Sequence, residues 1–336
     1  MVKLKDIAKE CHTSAATVSK ALHDSRELSK ETTARIKKVA ARMGYVPNVY
    51  AQALKMKRSY SIGVIFNDKT KDGGLKHEYF SSVLEAVKSE AESHGYAITF
   101  LSPDPSHKMS YLQIAKFRNT DGVVIVSEKF TDPEIVELVA SSLPVVTIDY
   151  SFSSATSIMS DNVEGYIKLV NYVASLGYKK IAFIHGEKTD VTQKRLSGFY
   201  EGMKECGLTV NKDYILEAVY HDPKSTGRAT KKLMALSDRP DVIFYPDDIS
   251  LLGGLTALGQ MGIKVPEDIG VVGYDGANIS RVFRPQMTTY CQNSEALGRE
   301  AAKYLIEQIE GPEAYIVSSH SVTGHIQEGG TTIKKN

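Results

Sequence analysis

Two rhythms of apolar and polar positions divide the chain. Over the first 45 residues the apolar side chains recur at three- and four-residue intervals, the period of a helix with one buried face. Leu4, Ile7, Ala8 and Cys11 share such a face. His12 and Thr13 leave room for only a short turn before Ser14, a favoured N-cap because its hydroxyl accepts an orphan backbone N–H. A short helix, Ala15 to Leu22, is predicted to follow. Ser29 opens a third run in which Thr33, Ile36, Val39, Ala40 and Met43 keep helical spacing up to Gly44, a good stop. Helix, tight turn, capped short helix and third helix make a helix-turn-helix. Val18 and Leu22 are expected to face its small core, leaving Ala15, Ala16 and Lys20 on the opposite face.

From residue 61 the pattern changes to short continuous apolar runs alternating with amphipathic ones. Strands are predicted at Ser61–Phe66, Tyr96–Leu101, Gly122–Val126, Pro144–Ile148, Lys180–Ile184, Tyr214–Val219, Asp241–Tyr245 and Ile269–Gly273. Helices are predicted at Tyr79–Ser93, Val163–Leu176, Thr192–Cys206, Ser225–Leu236 and Ile249–Met261. Unbroken apolar strands alternating with helices predict parallel sheets covered on both faces. There are more such units than one ordinary doubly wound sheet holds, so two lobes are expected.

Charge sharpens this division. The 336 residues carry 41 Lys+Arg and 40 Asp+Glu. Residues 1–60, however, hold 13 basic groups against 5 acidic ones, leaving 28 against 35 in the remaining 276. A basic head on an acidic body fits a polyanionic partner, or simply a lysine-rich solvated helical surface. No apolar run approaches the roughly 20 residues of a membrane helix, and MVKLKDIAKE is not a signal segment. Three scattered cysteines without a CxxC fit a reducing compartment. A cytoplasmic protein without membrane association is expected.

The segment DIAKECHTSAATVSKAL and the later ETTARIKKVAARMGYVPNVYAQAL resemble the DNA-binding head of the lactose/galactose repressor family of bacterial transcription regulators. Departures from that pattern include Lys3 for a capping Thr, Cys11-His12-Thr13 for the common Ala-Gly-Val, and His23 for Asn. The resemblance implies that Ala15, Ala16 and Lys20 read the major groove, through methyl contacts with thymine and Lys20 at a guanine edge. It implies phosphate contacts from Ser14, Thr17 and Ser19, for which capping and packing are the alternatives. Residues 47–57 (PNVYAQALKMK) match the hinge helix, which in the family folds on operator DNA with its dimer mate. Asn48, Ala51 and Leu54 would then lie in the minor groove, Leu54 as a wedge between base pairs; a linker helix with Leu54 in a dimer contact is the alternative.

The resemblance extends through the rest of the chain. Ser160-Asp161-Asn162, the segment Gly177 to Phe183, Arg195 to Phe199, Asp247-Asp248, and Val265 to Asp275 are its markers. It implies an N-terminal all-α helix-turn-helix head plus an α/β two-lobed, periplasmic-binding-protein-like effector domain. The head would span 1–46, the hinge 47–60, and the effector-binding and dimerisation domain 61–336. With the family's three crossings between lobes, one lobe would hold about 61–160 and 292–321, the other 161–291 and 322–336.

Ligands of open α/β sheets bind at the carboxyl ends of strands. That rule points to Asp68, Lys69, His77, Glu78, Tyr79, Phe80, Ser127, Glu128, Asp149 and Tyr150 in one lobe. In the other it points to His185, Glu187, Arg195, Asp247, Asp248 and Asp275. The family's contacts map onto Arg195, Asp247 and Asp275, whose carboxylates and guanidinium suit a polyhydroxylated effector. Tyr79, Phe80 and Tyr150 offer faces for a sugar ring, and Ser127 a hydroxyl. Asp248 and Asp161 are expected to cap their helices instead. Asp247, Asp248 and Asp275 also resemble the paired carboxylates of glycoside hydrolysis. No GxSxG, P-loop, HExxH or GxGxxG accompanies them, so no enzyme, cofactor or metal is expected. The expected partners are double-stranded operator DNA, a saccharide-like effector and a second copy of the chain, since the C-terminus lacks tetramerising leucine heptads. A global regulator whose corepressor is a phosphorylated carrier protein is the alternative.

Overall fold

A computed structural model describes residues 2–22, 25, 27–45, 58–67, 74–102 and 109–335. The chain divides into two compact units, Met1–Ser59 and Tyr60–Asn336.

The first unit contains α1 (Leu4–Glu10), α2 (Ala15–Leu22) and α3 (Lys30–Arg42). Ile7, Ala8, Cys11, Val18, Ala21, Ile36 and Ala40 form its core, with Leu22 only partly buried against it. Ser14 Oγ accepts the Thr17 N–H at 3.0 Å, and Ser29 Oγ accepts that of Thr32 at 3.2 Å. Lys3 supplies no hydroxyl at the start of α1. The Asp6 carboxylate instead accepts the Lys3 N–H at 2.8 Å, closing the helix start from the other side. The segment 47–57 expected to form the hinge helix, with Asn48, Ala51 and Leu54, lies outside the described residues.

The second unit is two doubly wound sheets. The first lobe carries β1 (Ser61–Phe66), α4 (Glu78–Ser93), β2 (Ala97–Phe100), α5 (Tyr111–Phe117), β3 (Gly122–Ser127), α6 (Pro133–Val139), β4 (Val145–Ile148) and β5 (Thr156–Ser160). The chain then enters the second lobe with α7 (Asn162–Ser175), β6 (Ile181–His185), α8 (Asp190–Glu205), β7 (Ile215–Glu217), α9 (Pro223–Met234), β8 (Val242–Phe244), α10 (Asp248–Gln260), β9 (Gly270–Asp275), α11 (Asn278–Val282) and β10 (Thr288–Cys291). It returns for α12 (Ser294–Glu310) and β11 (Ser319–Val322), then crosses again to β12 (His325–Gln327). The sheet orders are β11-β5-β4-β3-β1-β2 and β12-β10-β9-β8-β6-β7. Among the pairs of named strands in the described residues, only β12–β10 is antiparallel.

Each sheet has a core on both faces, which is why its central strands read as unbroken apolar runs. In the first lobe Ile62 and Val64 pack toward Val83, Val87 and Leu305, while Ile65 and Ile125 pack toward Tyr111, Ile135 and Leu138. In the second, Phe183 and Val272 meet Tyr166 and Phe199, and Ile184 and Val271 meet Leu233 and Leu251.

Strand ends differ from the sequence pattern mainly at sheet edges. β7 stops at Glu217, because Val219 turns outward, 41% exposed, and donates its N–H to Ser225 Oγ rather than to a neighbouring strand. β11 (SHSV) and β12 (HIQ) are short and polar, so no hydrophobic period announces them. Helix α8 begins at Asp190, two residues before the expected start, because Thr189 Oγ1 accepts the Thr192 N–H and caps it there.

Helices α7 and α8 cross closely at Gly198, where a Cβ would lie 2.1 Å from the Val163 carbonyl oxygen. Backbone cannot yield as a side-chain tip does. Gly198→Ala is therefore expected to cost about 1–3 kcal/mol by overpacking. That corresponds to a fall in melting temperature of several degrees, measured by far-UV circular dichroism. An unchanged melting temperature would show that the two helices can slide apart.

Candidate functional site

The carboxyl ends of the two sheets face each other across a cavity of about 700 Å³. The walls come from loops after β1, β3 and β4 in one lobe and after β6, β7, β9 and β10 in the other.

Arg195, only 5% exposed, is the fixed point of the second-lobe wall. Its Nε donates to Asn162 Oδ1 at 2.9 Å and its Nη1 to the Pro246 carbonyl at 2.9 Å. The guanidinium carbon lies 3.9 Å over the Tyr274 ring centre, a stacked cation–π arrangement. Nη2 is left 4.0 Å from Asp275 Oδ1. Asp275 ends β9 with a φ of +101°, followed by Gly276 at +74°. Its Oδ1 also accepts from Gln292 Nε2 at 2.6 Å. The opposite amide atom, Gln292 Oε1, is buried without a hydrogen-bond partner among the described residues. A buried acceptor left open beside a carboxylate and a guanidinium suits a donor brought by a ligand.

The first-lobe wall is aromatic and satisfied within itself. Asp149, at φ +58°, accepts from the Ser160 N–H at 2.6 Å, Ser160 Oγ at 3.0 Å and the Tyr79 hydroxyl at 3.1 Å. Burial, and then the Asp149 charge, push the Tyr79 hydroxyl well above its usual range, so it stays a neutral donor. Tyr150 stacks on Phe130 with ring centres 4.5 Å apart and planes 7° from parallel. Phe80 packs against Phe66 at 5.1 Å. Asp149, His221 (φ +56°) and Asp275 are non-glycine residues in the left-handed region, and all line the cavity. Such backbone conformations cost free energy and concentrate where geometry is held for a ligand.

Among the residues expected to contact an effector, Tyr79, Phe80, Ser127, Tyr150, Arg195 and Asp275 all line this cavity. Asp247 does not. It is 1% exposed and is the N-cap of α10, with Oδ1 accepting the Ser250 N–H at 2.7 Å. Its Oδ2 accepts Ser250 Oγ at 2.7 Å and the His221 N–H at 3.0 Å. His221 therefore occupies the wall in front of it. Asp248, expected as the cap, is instead the first residue of α10, with its carboxylate bonded to Thr289 Oγ1 at 2.6 Å and the Ala277 N–H at 2.8 Å. Asp161 stands at the start of α7 without capping it. Its oxygens accept from the Tyr290 hydroxyl at 2.7 Å and the Gly324 N–H at 3.2 Å, pinning together the segments that cross between lobes. Asp68 and Lys69 lie outside the described residues. Phe130, Tyr220, His221 and Gln292 line the cavity and were missed. Tyr220 and His221 directly follow the strand predicted at Tyr214–Val219, so the strand-end rule already pointed to them, and Gln292 follows β10, for which no strand is predicted.

Burial pushes the Asp247 carboxyl up. The hydrogen bond and charge of His221, with the Ser250 and His221 N–H groups, outweigh it and hold the carboxyl at about 2. A depressed carboxyl stabilises the fold above its unfolded value of about 3.9 and loses that contribution as pH falls toward 2. Asp247→Asn is expected to remove roughly 2 kcal/mol of this acid-side dependence. Urea unfolding at pH 2, 3, 4 and 7 measures it; parallel curves for the two proteins would contradict the assignment.

On the head, Ala16 and Lys20 are exposed on α2 while Ala15 is partly buried against the core, so Ala15 offers less surface than the helical pattern suggests. Ser14 and Thr17 bond each other at 2.9 Å, and Lys20 Nζ pairs with Glu27.

A helix-turn-helix head joined to a two-lobed, periplasmic-binding-protein-like domain with an interlobe cavity defines a DNA-binding transcriptional regulator with a small-molecule effector domain. Residues 3–48 match the bacterial regulatory proteins of the lacI family and residues 170–332 the periplasmic binding protein-like domain. The chain belongs to the lacI family. It is 30% identical over 326 residues to the HTH-type transcriptional repressor PurR of Histophilus somni, covering 94% of this chain and 96% of that one. It is 28% identical over 324 residues to the PurR repressor of Haemophilus influenzae, covering 94% of each. Its fold matches the lac repressor dimer bound to operator and the anti-inducer ONPF (TM-score 0.84, 23% identity, 99% of each chain). It also matches the transcriptional regulator CelR in complex with cellobiose (TM-score 0.71, 21% identity, 98% of this chain and 100% of that one). Among the described residues no helix is long and apolar enough to cross a membrane.

Proposed function

We propose that this regulator acts in the cytoplasm as a homodimeric, non-enzymatic repressor of carbohydrate-utilisation genes, released from a pseudo-palindromic operator by a saccharide-like effector bound between its lobes. The observation that carries the effector class is the composition of the cleft. Arg195, Asp275 and the open Gln292 Oε1 gather donors and acceptors on one wall, opposite the paired rings of Tyr150 and Phe130. Hydroxyl groups satisfy such a mixed polar wall and ring C–H faces suit the aromatic one. In this reading Tyr79, Phe80 and Ser127 shape the first-lobe wall. Asp247 supports His221 rather than touching the effector. On the head, Ala16 and Lys20 meet base edges while Ser14, Thr17 and Ser19 face the sugar-phosphate backbone, with Ala15 in a lesser role.

The effector acts only through its different affinity for the operator-competent and released states. A thermal-shift screen of the full chain against mono- and disaccharides, sugar phosphates and nucleosides tests the reading. A ligand at a hundred times its dissociation constant stabilises by about 2.7 kcal/mol, a clear shift. A saccharide hit that also releases operator DNA is the expected result. Stabilisation by nucleosides alone would replace the saccharide assignment.

A further inference from the structure

The interlobe cleft also holds two histidines that the effector reading leaves unused, beside Asp275, which it shares. His77, just before α4, belongs to the first lobe; His221, after β7, belongs to the second. Their rings meet edge to face with centres 3.9 Å apart, and His77 Nε2 lies 2.9 Å from His221 Nδ1. One ligating atom from each of His77, His221 and Asp275 falls within 4.8 Å of the other two. Two imidazoles and a carboxylate are the donor set of borderline divalent metals such as zinc, nickel and cobalt rather than of magnesium or calcium.

The geometry points to a transition-metal site formed by His77, His221 and Asp275, closed only when the two lobes come together. Tetrahedral zinc, with Zn–N bonds of about 2.0–2.1 Å, holds two nitrogens about 3.3 Å apart. The observed 2.9 Å needs to widen by only a few tenths of an ångström, within reach of side-chain rotation. In the structure the two facing nitrogens share one hydrogen. To bind a metal, the donating ring must exchange tautomer, losing the proton from its facing nitrogen and carrying one on its far nitrogen, so that both rings ligate as neutral imidazoles. Behind them Asp247 fixes the backbone N–H of His221 at 3.0 Å, and its Oδ1 sits 3.3 Å from Nδ1, adding negative charge beside the cation. His77 comes from one lobe, His221 and Asp275 from the other. A bound ion therefore favours the lobe arrangement seen here and is thermodynamically linked to any effector in the same cleft.

The test uses the full chain, stripped with chelator and studied without sugar or DNA, so that its outcome is independent of the effector reading. Zinc chloride is titrated by calorimetry, with magnesium chloride as control. The expected result is one zinc per chain, a raised melting temperature, no response to magnesium, and affinity weakened roughly a hundredfold in His77→Gln and in His221→Gln. Circular dichroism of the metal-free variants confirms their folding. Cobalt binding to the unmodified chain supplies a readout without mutation: visible d–d bands of a nitrogen and oxygen site are expected. A thiolate-to-cobalt charge-transfer band would place the metal on Cys11, Cys206 or Cys291 and overturn the assignment. Zinc binding unchanged in both variants, or no zinc binding, would overturn it equally and leave the histidine pair as a hydrogen-bonded contact between lobes.

Discussion

Asp275→Ala is expected to weaken effector binding by about a hundredfold or more while leaving operator affinity in the absence of effector within a few-fold of the parent. Hydrogen bonds to a charged group are worth about 1.5–3 kcal/mol each, or roughly 10- to 100-fold in affinity. The Asp275 carboxylate is positioned for such bonds. Gln292 engages its Oδ1 and Arg195 lies alongside at 4.0 Å. Among the described residues none bonds Oδ2. Removing the carboxylate also strips the buried Arg195 of its neighbouring negative charge, which disfavours a neutral ligand in the same pocket. The measurement is paired: effector affinity by calorimetry and operator affinity by fluorescence anisotropy. Asp275→Asn, which keeps size and tolerates the positive φ of this position, separates charge from shape. Loss of effector and operator binding together would make Asp275 a structural residue of the β9 turn.

Lys20→Ala is expected to lower operator affinity by roughly 10- to 100-fold and to relax sequence preference at one position of each half-site, since a side chain reading a guanine edge contributes about 1–3 kcal/mol of discrimination. α2 gives it few substitutes, because Ala16 contributes a methyl group and Ala15 is partly withdrawn into the core. In the free head Lys20 pairs with Glu27, both ends solvent-exposed, so DNA competes with an easily broken contact. Binding measured over a range of salt concentrations decides its role. If Lys20 instead touches a phosphate, affinity falls evenly across sequences and the logarithmic salt slope drops by about one. No change in affinity would remove α2 from the role of reading helix.

The segments that cross between the lobes are bonded to one another and to the cleft. Gln292, which touches Asp275, lies where the chain leaves β10 for the first lobe. Asp161, at the first crossing, bonds Tyr290 on the second and Gly324 on the third. A ligand gripping Asp275 and Gln292 would therefore touch residues a few positions from the segments that cross between the lobes.

The linear order of residues determined a great deal by itself. The three head helices follow from the spacing of Ile7, Val18 and Ile36 and from Ser14 and Ser29, because caps and helical period are local interactions. The parallel sheets follow from strands such as GVVIV, apolar at every position because both faces are covered. Asp275 stood out because it closes a strong strand signal, and Arg195 because the family resemblance carried over to the helix that holds it. The tertiary structure alone decided what depends on distant partners. Which of Asp247 and Asp248 caps α10 turns on Ser250, Thr289 and Ala277, and that choice withdraws Asp247 from the cleft and brings His221 forward. The polar edge strands β11 and β12 exist because β5 and β10 offer open edges, not because their own sequences demand strand. The meeting of His77 with His221 joins residues 144 positions apart through the closure of two lobes, a juxtaposition that no local pattern encodes.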